Sequence, residues 1–187
     1  MIGWIVLVLA LVAVVYAVVL FNTLVKSRQM VGEGWSGIDV QLKRRTDLVP
    51  RLVETVKGYV AYEKDVFERI TQLRNQAQAL RAASPGERAV AENALSGAIL
   101  QVMAVAEAYP DLKASESFLK LQEGLIEVED HLQLSRRYYN GAVRQLNTHI
   151  EQFPSNLIAN GFGFKLAEYF ELDDPGDRAA PQVRLNS

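Results

Sequence analysis

From residue 2 to residue 21 the chain reads IGWIVLVLALVAVVYAVVLF, without a charge. About 20 such residues is the length an α-helix needs to cross the hydrocarbon core of a bilayer. Each Leu, Ile or Val at the bilayer centre favours insertion by a few tenths of a kcal/mol, so about a dozen of them sum to several kcal/mol. The segment therefore predicts a transmembrane helix, with Ile2, Trp4, Leu9, Tyr16 and Phe21 among its spanning residues. A cleavable signal peptide is the rival reading. It would need a basic stretch before the apolar run and small residues after it. No Lys or Arg precedes this run, and Val18-Val19-Leu20-Phe21 offers no such cleavage site.

Beyond the span, apolar positions recur at alternating steps of four and three, the spacing of a coiled-coil-like seam. The first stripe runs Leu24, Arg28, Val31, Trp35, Ile38, Leu42, Arg45, Val49, Leu52 and Val56. It continues through Tyr59, Glu63, Val66, Ile70, Leu73, Ala77 and Leu80. Pro50 interrupts it chemically, because proline lacks the helical donor and crowds the preceding turn. The phase does not slip there, which favours one long kinked helix up to Leu80. The alternative is a tight corner at 46–49, with Asp47 as N-cap and Pro50 in a first turn.

Ser84-Pro85-Gly86-Glu87 is a helix start with a capping box. The helix after it should fold back antiparallel and carries Ala91, Leu95, Ala98, Val102, Val105 and Tyr109 until Pro110 stops it. Ser115 is the expected N-cap of the last long helix, with Glu116 in its first turn. Its stripe is Phe118, Leu121, Leu125, Val128, Leu132, Tyr139, Val143, Leu146, Ile150 and Phe153, with a polar gap at Ser135/Arg136 and a stop at Pro154. At ~1.5 Å per residue that helix is close to 60 Å long against about 36 Å for its predecessor. A continuous first helix would send the overshoot away from the bilayer; the corner would send it back. Either way Val143, Leu146, Ile150 and Phe153 need cover, from residues 154–172 or from another subunit, and so form the expected oligomer or partner face.

Past Pro154 the pattern expects a short apolar segment at 155–159, a glycine–aromatic loop at 160–164 and a last short helix at 165–172. A disordered tail is expected at 173–187. The domain plan is thus an anchor (1–25), a helical bundle (26–172) and the tail.

Composition narrows the function. A net charge of -2 argues against a general nucleic-acid surface, and the absence of cysteine removes disulfides and thiolate metal sites. No stretch alternates with the period of a strand, so the fold class is all-α. His131 and His149 share a helix face about 27 Å apart and cannot bind one metal within the chain. There is no Walker loop, G-x-S-x-G or H-E-x-x-H, and nothing resembles a nucleophile with an oriented base. No catalytic residue, cofactor or metal is expected.

Three sets of charges remain. Lys26 and Arg28 are the residues placed to meet headgroups, and by the positive-inside rule they put the N-terminus outside and the body in the cytoplasm. The opposite orientation stays open, because one unflanked helix carries limited topological information. Lys43-Arg44-Arg45 stands about 33 Å along a straight helix, beyond the reach of anionic lipid. It reads as a solvated or partner-facing patch, with Arg45 able to form a salt bridge in the seam. Glu63 is expected to pair with Arg136 or Arg137 and fix helix register; the alternative is that Glu63 reaches solvent.

FNTLV (21–25), GWSGIDVQLKRRTDLVPRLVETVKGY (34–59), EAYPDLKASESFLKLQ (107–122), RRYYNGAVRQLN (136–147) and FPSNLIA (153–159) together resemble the LemA family over nearly the whole chain except the tail. Gly34 stands where alanine is usual, and Tyr62 where histidine is common. The resemblance implies a single-pass protein of the bacterial cytoplasmic membrane with an up-and-down four-helix bundle. That description conflicts with a continuous first helix unless residues 154–172 supply an element. It implies no agreed activity and no catalytic residues. The leading expectation is a non-enzymatic, membrane-anchored scaffold that forms homo-oligomers or organises other membrane proteins. The alternative is an adaptor for a membrane protease or signalling system, working in a heteromeric complex.

Overall fold

The computed structural model describes residues 1–60 and 63–171, so the tail expected at 173–187 and the position of Tyr62 lie outside the described residues. The elements are α1 (Ile2–Lys57), α2 (Lys64–Ala79) with a 3-10 turn at Leu80–Ala82, α3 (Pro85–Ala106), α4 (Pro110–Lys113), α5 (Glu116–Glu151) and α6 (Ser155–Gly161). All regular structure among the described residues is helical.

Helix α1 is continuous through Pro50. Proline at 50 cannot donate to the carbonyl of Thr46, and that oxygen lies in a buried turn. Arg74 of α2 fills the vacancy, donating from Nε to the Thr46 carbonyl at 3.2 Å. An orphaned buried carbonyl costs about 1–3 kcal/mol, so the arginine replaces the missing bond from outside the helix. Arg74→Ala is expected to lower unfolding stability by about 1–2 kcal/mol. In a Pro50→Ala background, where the restored N–H serves Thr46, the loss should be much smaller. Chemical unfolding of the four variants checks this, and additive costs would separate the two residues.

The continuous helix does not extend to Leu80. It ends at Lys57, with Gly58 as C-cap, and the chain reverses before Glu63, the N-cap of α2. Tyr59 is 47% exposed while Val60 is buried, so the stripe slips by one residue at the reversal. Helix α2 then runs back along α1: Phe67 lies by Lys57, Arg74 by Thr46 and Arg81 by Asp39. The heptad stripe concealed this corner because an antiparallel return presents its own Phe67, Ile70 and Ala77 to the same core.

The Ser84 capping box forms as expected. Helix α3 runs parallel to α1, with Arg88 at Asp39 and Glu92 at Arg45. Helix α5 returns along α1 from Glu127 beside Arg44 to His149 beside Ser27. Four helices, α1, α2, α3 and α5, thus make an up-down-up-down bundle. The extra reversal at 58–63 flips the direction of everything after it. The far half of α5 therefore overshoots towards the transmembrane end, not away from it.

That overshoot is covered within the chain. Val143, Leu146 and Ile150 are buried against α1, α6 and the segment after α6, so they do not form the open face expected of them; only Phe153 stays exposed. Gly163, at φ +70, turns the chain out of α6. Residues 164–171 are an extended strap, not the short helix expected at 165–172. Asn147 donates to the carbonyl of Ala167 and accepts from its N–H, and Asn140 does the same for Phe170. Seven residues of helix rise about 10.5 Å and three of extended chain about 10 Å, so the two amides match the strap's repeat.

Gly34 has a packing reason to differ from the usual alanine. A Cβ there would stand 2.9 Å from the Cα of Tyr139, and backbone cannot move aside without parting α1 from α5.

Candidate functional site

The polar groups concentrate inside the bundle, on the facing sides of α1, α3 and α5. Arg45, 3% exposed, meets the equally buried Glu92 at 2.5 Å, donates to Ser96 Oγ at 2.6 Å and reaches Glu129 at 3.3 Å. Two turns nearer the membrane end, Asp39 accepts from Arg88 at 2.7 Å and Arg81 at 2.9 Å. Partial burial would raise the Asp39 carboxyl, but these two guanidinium hydrogen bonds outweigh it and hold the group below its usual range. Arg88 also lies 5.3 Å over the Trp35 ring. Arg45 Nε and Arg88 Nε are buried without a hydrogen-bond partner.

Arg45 is thus the seam salt bridge that its position in the stripe allows. The other proposed pair does not form. Glu63 caps α2 at the distal end, whereas Arg136 lies 5.4 Å from the ring of Phe170, which packs on Trp35. About 20 residues of α1, or roughly 30 Å, separate those levels. Burial lowers the Arg136 guanidinium, with Glu129 and the nearby Arg45 acting in opposite senses. Burial, with the Glu168 carboxylate second, pushes the Tyr139 hydroxyl up to about 12. It therefore stays protonated and donates to the Glu168 carbonyl at 2.8 Å, a third tie on the strap.

At the membrane end, Leu24 is the first buried residue of α1. Ile2, Trp4, Leu9 and Tyr16 are all exposed, while Phe21 packs against Phe162 at 4.8 Å and Phe164 at 5.9 Å. Lys26 and Arg28 are exposed one turn or so beyond, with Arg28 lying 5.2 Å over the Phe164 ring. The exposed apolar residues of α1 form a candidate membrane span.

What these groups can do chemically is limited. Arg45 and Arg88 are engaged with Glu92 and Asp39, while Arg136 lies over the Phe170 ring. His149 Nδ1 is 3.0 Å from Ser27 Oγ, and His131 sits by Glu127 on an exposed face. Among the described residues no His, Asp or Glu group has the arrangement to hold a metal ion. The missed elements were Glu92, one step off the seam expected for α3, and the paired asparagines of α5, which no hydrophobic period marks.

Magnetosome protein MamQ 2 of Paramagnetospirillum magneticum is 26% identical over 181 residues, which is 84% of this chain and 66% of that protein. Magnetosome protein MamQ of Magnetospirillum gryphiswaldense is 23% identical over 203 residues, covering 94% of this chain and 75% of the relative. Protein LemA of Metamycoplasma hominis is 27% identical over 140 residues, covering 74% and 63%. The chain thus spans about two thirds of the length of several relatives it matches. A candidate N-terminal membrane helix joined to a four-helix bundle fits a membrane location. Since the LemA family model matches residues 34–185, most of the bundle and beyond, the chain belongs to the LemA family.

Proposed function

We propose that this protein is a membrane-anchored, non-enzymatic scaffold that self-associates through the outer face of α3. The supporting observation is that α3 is apolar on both sides. Its inner face buries Leu95, Ala98, Val102 and Ala106, and two of its three charges, Arg88 and Glu92, point inward to their partners, with the capping Glu87 exposed in the first turn. Its outer face carries Val90 at 70% and Leu100 at 69% exposure, with Ala94 and Gly97 exposed between them and Ala104 one turn beyond. No charged residue occurs from 93 to 106. A helix apolar all round is normally covered on all sides.

A second copy is the occupant this face suits. An uncharged face is complementary to itself, as an isologous two-fold contact requires. Small residues at 94, 97 and 104 also let two helix backbones approach closely. The span would hold both copies in one membrane, raising their effective concentration.

The test is the mass of the full-length protein in detergent and nanodiscs, beside Gly97→Leu. Among the described residues nothing lies within 4 Å of a Cβ at 97, so the substitution leaves the bundle's own packing intact. Wild type should run as one defined oligomer and Gly97→Leu as a monomer with an unchanged helical spectrum. A monomeric wild type that crosslinks in native membranes to another protein would instead support the adaptor reading.

A further inference from the structure

We propose that residues 153–164, comprising α6 and the loops around it, form a second membrane contact lying in the interfacial layer of the bilayer beside the transmembrane helix. This rests on the reading of α1 as the anchor.

The height of the segment is fixed by packing. Ala159 sits against Leu24, Leu146 and Ile150, and Phe162 against Phe21, so α6 lies level with the last turn of the apolar span. Its free side is strongly apolar: Phe153 is 73% exposed, Leu157 63% and Phe162 67%. From residue 152 to residue 164 there is no charged side chain. The α6 helix buries Ser155 and Ala159 inward and turns Leu157 outward, the reverse of a helix bathed in water.

Cations border this patch. Lys26, Arg28 and Lys165 are all exposed, and Arg28 lies over the Phe164 ring. Glu151, exposed at the end of α5, is the acidic residue nearest in sequence. Apolar side chains beneath a basic rim are the pattern of a segment seated between acyl chains and headgroups. Lipid is the occupant because the patch is continuous, through Phe21 and Phe162, with a span none of whose apolar window is buried in protein. The consequence is mechanical. One helix through a bilayer leaves the body free to tilt and spin, whereas a second contact packed alongside it restrains both motions.

The chain has no native cysteine, so single nitroxide labels can be placed at will. The full-length protein carrying Leu157→Cys or Phe162→Cys would be labelled in vesicles of phosphatidylcholine and phosphatidylglycerol. Val12→Cys reports the anchor, and Ile126→Cys an exposed site on the bundle. Accessibility to oxygen relative to a water-soluble nickel chelate should be several-fold higher at 157 and 162 than at 126, and below the value at 12 in the middle of the span. Labels at 157 and 162 that match 126 while 12 is immersed would overturn the proposal and leave the anchor standing. A water-exposed label at 12 would sink both. Labels at 157 shielded from both reagents and broadened by a neighbouring spin would mean that a second copy covers the patch, which also overturns it.

Discussion

Glu92→Gln is expected to lower the unfolding free energy of the bundle by about 3 kcal/mol, the lower part of the range for breaking a buried ion pair. The glutamine keeps the shape and removes the charge, leaving Arg45, 3% exposed, without its close carboxylate. Ser96 and the half-exposed Glu129 remain within reach of the guanidinium, which is why the loss should not approach the upper limit. For a bundle of this size that is a fall in melting temperature of about 10 °C. The companion variant Arg45→Met with Glu92→Leu should be close to neutral or more stable than wild type. Two desolvation penalties vanish together with the attraction between the ions, and Arg45 Nε, buried without a partner, disappears too. The pair would then serve register: with Arg45 on α1 and Glu92 on α3, a slip of one turn strands both charges. A loss under 1 kcal/mol in Glu92→Gln would mean that Glu129 takes over as counter-ion.

The same pair shows what could be read from the chain and what could not. Arg45 interrupts an apolar stripe, so a buried charge was legible. Its partner was not, because Glu92 sits one residue away from the seam expected through Ala91 and Leu95, and a polar residue at the seam edge looks like a solvated one. Local signals were dependable where backbone chemistry is nearby, as at the charge-free span, the capping box at Ser84 and the stop before Pro154; Pro110, expected to stop α3, instead opens α4, and α3 already ends at Ala106. The corner at 58–63 was hidden for a physical reason. A heptad stripe records which positions are buried, not whether the chain runs on or doubles back, and Gly58 alone is a weak stop. Placing the reversal there also accounts for the direction of α5 and for the cover over Val143, Leu146 and Ile150. The strap carries no hydrophobic period at all. It is held by side-chain amides from α5, a spacing that becomes visible only when helix rise and extended-chain rise are set side by side.

Phe170→Ala is the substitution that should separate the strap from the bundle. Phe170 is 1% exposed, packs edge-on against Trp35 at 5.7 Å and lies under the Arg136 guanidinium at 5.4 Å. Truncating a buried phenylalanine costs about 3–5 kcal/mol where the surroundings cannot collapse. Here the cost has a ceiling. The strap is joined to the four helices only through α6, so the molecule can release it and keep the bundle folded. Global stability can therefore fall by no more than the free energy that docks the strap. The expected signature is local. Exchange of the Ala167 and Phe170 amides, which donate to Asn147 and Asn140, should accelerate by about 100-fold or more. Amides of the core turns around Leu52, Val102 and Leu125, in the distal cluster, should change far less. Val143 and Tyr139, which share the Phe170 cluster, should become accessible to an apolar dye as the strap lifts. Uniform acceleration across the chain would show that the strap and the helices unfold as one unit. In that case the asparagine ties are part of the bundle's core and not a separable clasp, and Asn140→Ala should destabilise the distal cluster as much as the proximal one.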